Sequence, residues 1–291
     1  MGLVRRRRWL VPLGIGVLIA GSLGFWWRAT IKRNRSVPDE PFQIAGNLYY
    51  VGSTGVTAFL LTGPDGHILI DGGYPETAPL IMASIAKLGF AVRDVKVLLN
   101  SHAHFDHAGG LRELQDSSRA QLWVSDADAP VIAAGGAGDR ATYGPLSYVG
   151  WGRFPAARVD HTFKDGDTIR VGSLAVTAHV TAGHTPGCTS WAFPVRHRDR
   201  DLLAVSVCSL TVLPFMSLPD LRSDFEQSFR TLRALPAHIF LGSHGSFFDL
   251  DRKLRDRAGA KDPADPFIDS KGYVDYIDRA ERRFLEGLAD R

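Results

Sequence analysis

The stretch SHAHFDHAGG, residues 101–110, limits what this chain can fold into more than any other feature. His102, His104, Asp106 and His107 place four metal-ligating side chains within six residues. The stretch follows directly on VKVLLN (95–100), a continuous apolar run that suits a buried strand. Four ionisable groups so close at a strand end are costly unless something compensates them, so the fold must gather them where a cation can do so. In an extended or looped segment, His102 and His104 at spacing two point the same way, while Asp106 and His107 turn toward a second position. That geometry suits two adjacent metal ions. Imidazole and carboxylate donors without thiolate fit zinc, and by ligand type alone they also accept iron or manganese.

Around this cluster the chain reads as alternating strands and helices in two halves. NLYYV (47–51), VTAFLLT (56–62) and HILID (67–71) are short apolar runs parted by Gly, Asn and Asp turns, the pattern of a meander. Residues 76–89 carry apolar side chains at helical spacing and lead into the 95–100 strand, which gives a strand, helix, strand unit. Farther on, LAVTAHV, TSWAFPV, DLLAVSV and AHIFLG repeat the theme. A helix is expected over 222–235, opened by a capping-box pair, Ser223 and Glu226. In the C-terminal stretch Tyr273, Tyr276, Ile277, Ala280, Phe284 and Leu288 share one helical face, so that helix should dock on the body. Segments 135–145 and 214–219 read as loops.

The N-terminus is of another character. Four arginines precede an uncharged stretch at 9–27, the order of charged and apolar regions in a secretory signal, and its 19 residues also suffice to cross a bilayer. Residues 1–35 are therefore a signal peptide or a membrane anchor, followed by a linker at 36–42 and the folded body at 43–291. Either reading puts the body in a periplasmic or otherwise extracytoplasmic space, with the anchor tethering it to the inner membrane. The formal charge is +3, but residues 1–35 hold eight of the 34 cations and no Asp or Glu, leaving 26 cations against 31 anions in the body. A body at −5 has no general attraction for phosphate backbones, so no nucleic-acid partner is expected.

Two cysteines, Cys188 and Cys208, are too few for a disulfide framework. They sit on successive strand segments flanking a short charged hairpin, and antiparallel neighbours can bring such a pair within bridging distance. One disulfide is expected, with Cys208 alternatively a residue on the zinc side. Asp71, ending HILID before two glycines, reads either as a turn former or as an acceptor that orients a ligand loop. His67, His161, His197 and His238 read as surface or packing residues, and His179, on a strand five residues before His184, reads either as buried packing or as a residue with a role at the metals. Trp151 and Phe154 fit either the border of a cleft or the core.

The string at 102–107 resembles the first signature of the metallo-β-lactamase superfamily, His-x-His-x-Asp-His at a strand end, and GHTPGCTSW (183–191) and GSHGSFFDL (242–250) resemble the second and third. The resemblance implies an αββα sandwich, an α/β fold of two similar halves with the metals at one edge of the β layers. It also implies that His102, His104 and His184 hold a first zinc and Asp106, His107 and His244 a second. Glyoxalase II enzymes and lactonases of the superfamily carry a bridging aspartate where this chain reads Val207, Cys208, Ser209, Leu210. The missing carboxylate resembles the class B β-lactamases, and the presence of His107 resembles their Asp-His-His branch.

What the resemblance implies chemically is hydrolysis of a β-lactam amide, and so antibiotic resistance, by a hydroxide that two zinc ions make available at neutral pH. Asp106 would position the nucleophile, Ser209 would lie near the second zinc, and Thr211 would meet a substrate carboxylate. The rival readings are a zinc hydrolase of the same fold acting on a lactone or thioester, and a membrane-anchored zinc-binding protein without turnover.

Overall fold

In the computed structural model, residues 40–289 are described apart from positions 54, 138, 214, 215 and 217–219. The expected signal or anchor at 1–35 lies outside the described residues, as does most of the 214–219 loop. The chain enters its first sheet at Phe42, the last residue of the expected linker.

Strands β1 (Phe42–Ala45), β2 (Leu48–Tyr50), β3 (Phe59–Leu61) and β4 (His67–Ile70) pair in antiparallel succession, which is the meander the turn residues called for. Helix α1 (Ala78–Lys87) then carries the chain to β5 (Val95–Leu99), parallel to β4. The first turn of the expected 76–89 helix is a separate 3-10 turn, Pro75–Thr77. After β5 come α2 (Phe105–Ala108), α3 (Leu111–Ser118) and β6 (Gln121–Ser125), then α4 (Ala129–Ala133), α5 (Arg140–Tyr143) and β7 (His161–Phe163). Both later strands join in parallel, completing a seven-stranded sheet in chain order. The segment 135–145, read as a loop, contains the short α5.

The second half repeats the plan. Strands β8 (Thr168–Val171), β9 (Leu174–Val180), β10 (Thr189–His197) and β11 (Arg200–Val207) form an antiparallel run, α6 (Leu221–Ala234) crosses over, and β12 (Ile239–Gly242) lies parallel to β11. Helices α7 (Leu250–Gly259) and α8 (Ser270–Ala289) close the chain. Ser223 and Glu226 do not form a capping box. The helix starts two residues before Ser223, whose hydroxyl donates to the Asp220 carbonyl (3.0 Å) from inside the first turn, and Glu226 pairs with Arg222 at 2.8 Å.

Strand residues sort by parity. Ile68, Ile70, Val97 and Leu99 face the second sheet, while Leu69 and Leu98 face α1 and α3. A strand buried on both faces must be apolar throughout, which is why 95–100 reads as a continuous run. The inner core continues through Trp191, Phe193 and Val205 of the second sheet to Phe225 and Phe229 of α6 and to Tyr273, Ile277 and Phe284 of α8. The layers are helix, sheet, sheet, helix, an αββα sandwich. On α8 the expected face is the buried one, with Leu288 partly covered.

Candidate metal centre

Three segments reach one edge of the sandwich: the turn after β5, the loop between β9 and β10, and the turn after β12. The first brings His102, His104, Asp106 and His107, the second His184 and the third His244. The donor atoms of His102, His104 and His184 lie within 4.8 Å of one another, and their rings pack at centroid separations of 4.6–4.9 Å. Beside them, His107 Nε2 is 3.2 Å from His244 Nε2 and 3.4 Å from an Asp106 oxygen, and His244 Nε2 is 3.7 Å from the same oxygen. Donors each about 2 Å from one ion in tetrahedral array stand roughly 3.4 Å apart, so this second triad has the spacing of a metal site. The two triads touch where His102 and His107 pack at 4.2 Å.

The unpartnered atoms test whether these groups fit a metal. His102 Nε2 and His104 Nε2 are buried and have no hydrogen-bond partner. A buried polar atom left unpaired costs about 1–3 kcal/mol, and a cation in the gap between the rings removes that cost. The other ring nitrogens are held so that Nε2 faces inward. His184 Nδ1–H donates to the Thr211 carbonyl at 2.7 Å, and His244 Nδ1–H donates to the Gly55 carbonyl at 3.2 Å. Such partners fix tautomer and ring orientation.

The charge states suit a cation as well. Burial, reinforced by the neighbouring imidazoles, holds His102 well below the ordinary histidine range. Burial does the same to His104 and lowers His244, in both against some lift from Asp106, and takes His184 down to about 4. Burial alone would raise Asp106, but His107, His244 and His104 keep its carboxyl well below the usual carboxylate range. His107 is the exception: although burial opposes it, Asp106 and Asp71 push it up to about 10. Without a cation it keeps the proton that a metal ion would displace.

Asp71 behaves as the acceptor of the two readings open for it. Its left-handed backbone (φ 66°) turns the carboxylate under the ligand loop. There Oδ1 accepts from the Ser101 amide (2.7 Å) and Asn100 (3.2 Å), and Oδ2 accepts from the Ser101 hydroxyl (2.7 Å) and stands 3.4 Å from His107 Nδ1. The Ser101 hydroxyl is in turn 3.1 Å from His102 Nδ1.

Ser209 and Thr211, beyond the end of β11, lie beside His184. The buried Ser209 hydroxyl meets that of Thr211 at 2.9 Å, and the exposed Thr211 reaches His184 Nδ1 at 3.2 Å. Cys208 is joined to Cys188 in a disulfide, with Cα atoms 5.9 Å apart, which leaves no free thiol on the zinc side. The other histidines pack: His161 stacks on Trp123 at 4.3 Å, His67 and His238 accept backbone N–H bonds, and His197 is held by Asp262. The half-buried His179 sits on β9, outside both triads. Trp151 is exposed, and Phe154 belongs to the core beneath the first sheet.

Two residues at the site gave no sequence signal. Asp128, at the start of α4, is buried and accepts from the Ala103 amide (2.9 Å), the Thr185 hydroxyl (2.8 Å) and the Gly187 amide (2.9 Å), tying the His102–His104 turn to the His184 loop. A side chain on Gly187 would run into Ser125 and Asp128, so the close approach needs glycine. Tyr143 packs its ring 5.4 Å from that of His104.

A family model described as the metallo-beta-lactamase superfamily matches residues 51–198. Among solved structures, the chain is similar to the native FEZ-1 metallo-beta-lactamase from Legionella gormanii, with 36% identity and a TM-score of 0.82, over 87% of this chain and 97% of that one. It is also similar to BJP-1, a subclass B3 metallo-beta-lactamase of Bradyrhizobium japonicum, with 33% identity and a TM-score of 0.78, over 89% and 97%. A curated relative, the hydroxyacylglutathione hydrolase of Jannaschia sp., is 30% identical over 137 residues, 47% of this chain and 43% of that protein. The chain thus spans less than half the length of that relative.

Proposed function

The chain belongs to the metallo-β-lactamase superfamily, and from that membership and its paired triads we propose that it hydrolyses the amide bond of β-lactams with two zinc ions. His102, His104 and His184 would hold one ion, and Asp106, His107 and His244 the other. When bound, the ions supply a water nucleophile active at neutral pH and a Lewis acid toward the carbonyl. The protein's part is positioning. Asp106, kept ionised by the histidines around it, offers a carboxylate oxygen that would orient the attacking group. Asp71 and Asp128 keep both ligand turns in place before substrate arrives, and Thr211 offers an exposed hydroxyl to a substrate carboxylate.

The observation that carries this reading is the end of β11. Cys208 there is locked in the disulfide, and Ser209 and Thr211 contribute hydroxyls, so that end supplies no carboxylate between the triads. The similarity to solved β-lactamases along almost their whole length supports it. A second reading, cleavage of a thioester, draws on the hydroxyacylglutathione hydrolase relatives. The disulfide and the arginine-led apolar N-terminus fit a periplasmic location, tethered or free, in which such an activity would confer antibiotic resistance. The zinc-loaded full-length protein, offered a chromogenic cephalosporin, an S-acylglutathione and a lactone in parallel, should cleave the cephalosporin fastest. Preference for the thioester or the lactone would replace this reading with that substrate's.

A further inference from the structure

Between α8 and the segment after β11 lies a cavity of about 780 Å³ that the catalytic reading touches only at Thr211. Its apolar side is formed by Leu210, Val212, Leu221, Phe284 and Leu288. Arg279 and Arg283 stand on its α8 wall one turn apart, on the face that also carries Tyr276 and Phe284. Among the described residues neither arginine pairs with a carboxylate. The acidic residues between and beside them are engaged elsewhere, Asp278 and Glu281 both with Arg233, at 2.8 and 2.5 Å.

The cavity shares two of its walls with the metal centre. Thr211 lines it, and the Thr211 carbonyl holds His184. Phe247 lines it, and its ring packs 5.0 Å from His244. The Tyr276 hydroxyl meets the Leu210 backbone, which pins α8 to the same segment. Arg279 and Arg283 follow Tyr276 at roughly 5 and 10 Å along the helix axis.

We propose that this cavity is a subsite for a substrate substituent that carries a carboxylate on an apolar spacer. This rests on the β-lactam reading. The spacer would lie on the leucine, valine and phenylalanine side, and the two guanidinium groups would receive the carboxylate, for which their planar donors are matched. One acidic residue, Asp249, also lines the cavity, 3.8 Å from Arg252. Against its one negative charge the two arginines leave the lining net positive, which suits a singly charged anion. The subsite would therefore select among β-lactams by side chain and leave the common ring contacts to the metal centre and Thr211.

The test uses two cephalosporins that differ only in whether the side chain ends in a free carboxylate or its methyl ester. With the zinc-loaded full-length protein, the ratio of kcat/KM for acid over ester should fall roughly tenfold in the Arg279→Ala/Arg283→Ala variant, mainly through KM, and recover in part with lysine at both positions. An unchanged ratio, or recovery with glutamine as complete as with lysine, would overturn the proposal. Direct binding of the uncleaved acid, measured by calorimetry, separates this question from catalysis. If neither cephalosporin is turned over but the acid binds and loses affinity in the alanine variant, the subsite stands and the β-lactamase reading falls. If neither protein distinguishes acid from ester in binding, the subsite falls.

Discussion

Asp128 shows how much a single buried residue can decide. Its two oxygens accept three hydrogen bonds that join the His102–His104 turn to the His184 loop, and burial, against the pull of those bonds, pushes its carboxyl up to about 6. Asparagine has the same shape but only one acceptor oxygen, so the Gly187 amide or the Ala103–Thr185 pair must lose its partner. Asp128→Asn should weaken zinc at the His102, His104, His184 triad by roughly 10–100-fold while sparing the other triad, read by titration with a zinc chelator. Equal loss from both triads would mean a general loss of folding. Thr211 makes the opposite case. Thr211→Val keeps the backbone carbonyl that holds His184 but removes the exposed hydroxyl, so zinc content should hold and KM for carboxylate-bearing β-lactams should rise about tenfold. An unaltered KM would take Thr211 out of substrate binding. At this scale the ligands were legible because they are neighbours in sequence or end recognisable strands. Asp128 and Tyr143 were not, since one of two aspartates in SDADAP or a tyrosine in a loop gains its role only when the fold brings a distant turn to it.

Among elements, the long and strongly patterned ones could be read directly. β9 keeps the bounds of LAVTAHV, and α8 buries the face its spacing marks out. The strands β6, β7 and β8 escaped because three to five residues of mixed polarity carry too little periodicity, and they owe their place to pairing with strands already laid down. The Ser223–Glu226 pair misled because the helix begins at Leu221, so both residues lie inside it, where the Ser223 hydroxyl donates back to the Asp220 carbonyl and Glu226 pairs with Arg222. Hairpin β10–β11 is the element whose covalent constraint can be tested. Its flanking cysteines are 20 positions apart, and a bridge closing that loop is worth about 3 kcal/mol in the chain-entropy picture. Replacing both with serine should lower unfolding free energy by about that amount in urea titration. A loss below about 1 kcal/mol would show that the hairpin's own pairing already confines the unfolded chain.

Across the whole molecule, the fold concentrates neutral imidazoles at one edge, and stability should depend on pH accordingly. His102, His104, His184 and His244 have pKa values lowered in the folded protein, so the unfolded chain binds more protons as pH falls below about 6.5. The metal-free protein should therefore lose stability from pH 6.5 toward pH 4, seen as a falling Tm. His107, raised to about 10, opposes this only near pH 6.5, where the unfolded imidazole is still taking up its proton, and adds no slope once that is complete. Asp128, raised to about 6, works the other way, one group against four. A flat or rising Tm would mean that the histidines are already protonated or solvated in the folded state. Placing this histidine edge required the whole sandwich: the sequence marks three separate histidine segments, and only the stacking of the two sheets brings the ends of β5 and β12 and the β9–β10 loop together.

The central claim, two zinc ions on two triads turning over a β-lactam, is tested most directly by adding zinc stepwise to the metal-depleted protein while bound metal and cephalosporin hydrolysis are followed together. The account predicts saturation at two ions per chain, with hydrolysis at that stoichiometry abolished by His184→Ala or Asp106→Ala, each variant retaining close to one ion. Full two-ion loading in His184→Ala, or two bound ions with no cephalosporin cleaved, would contradict it.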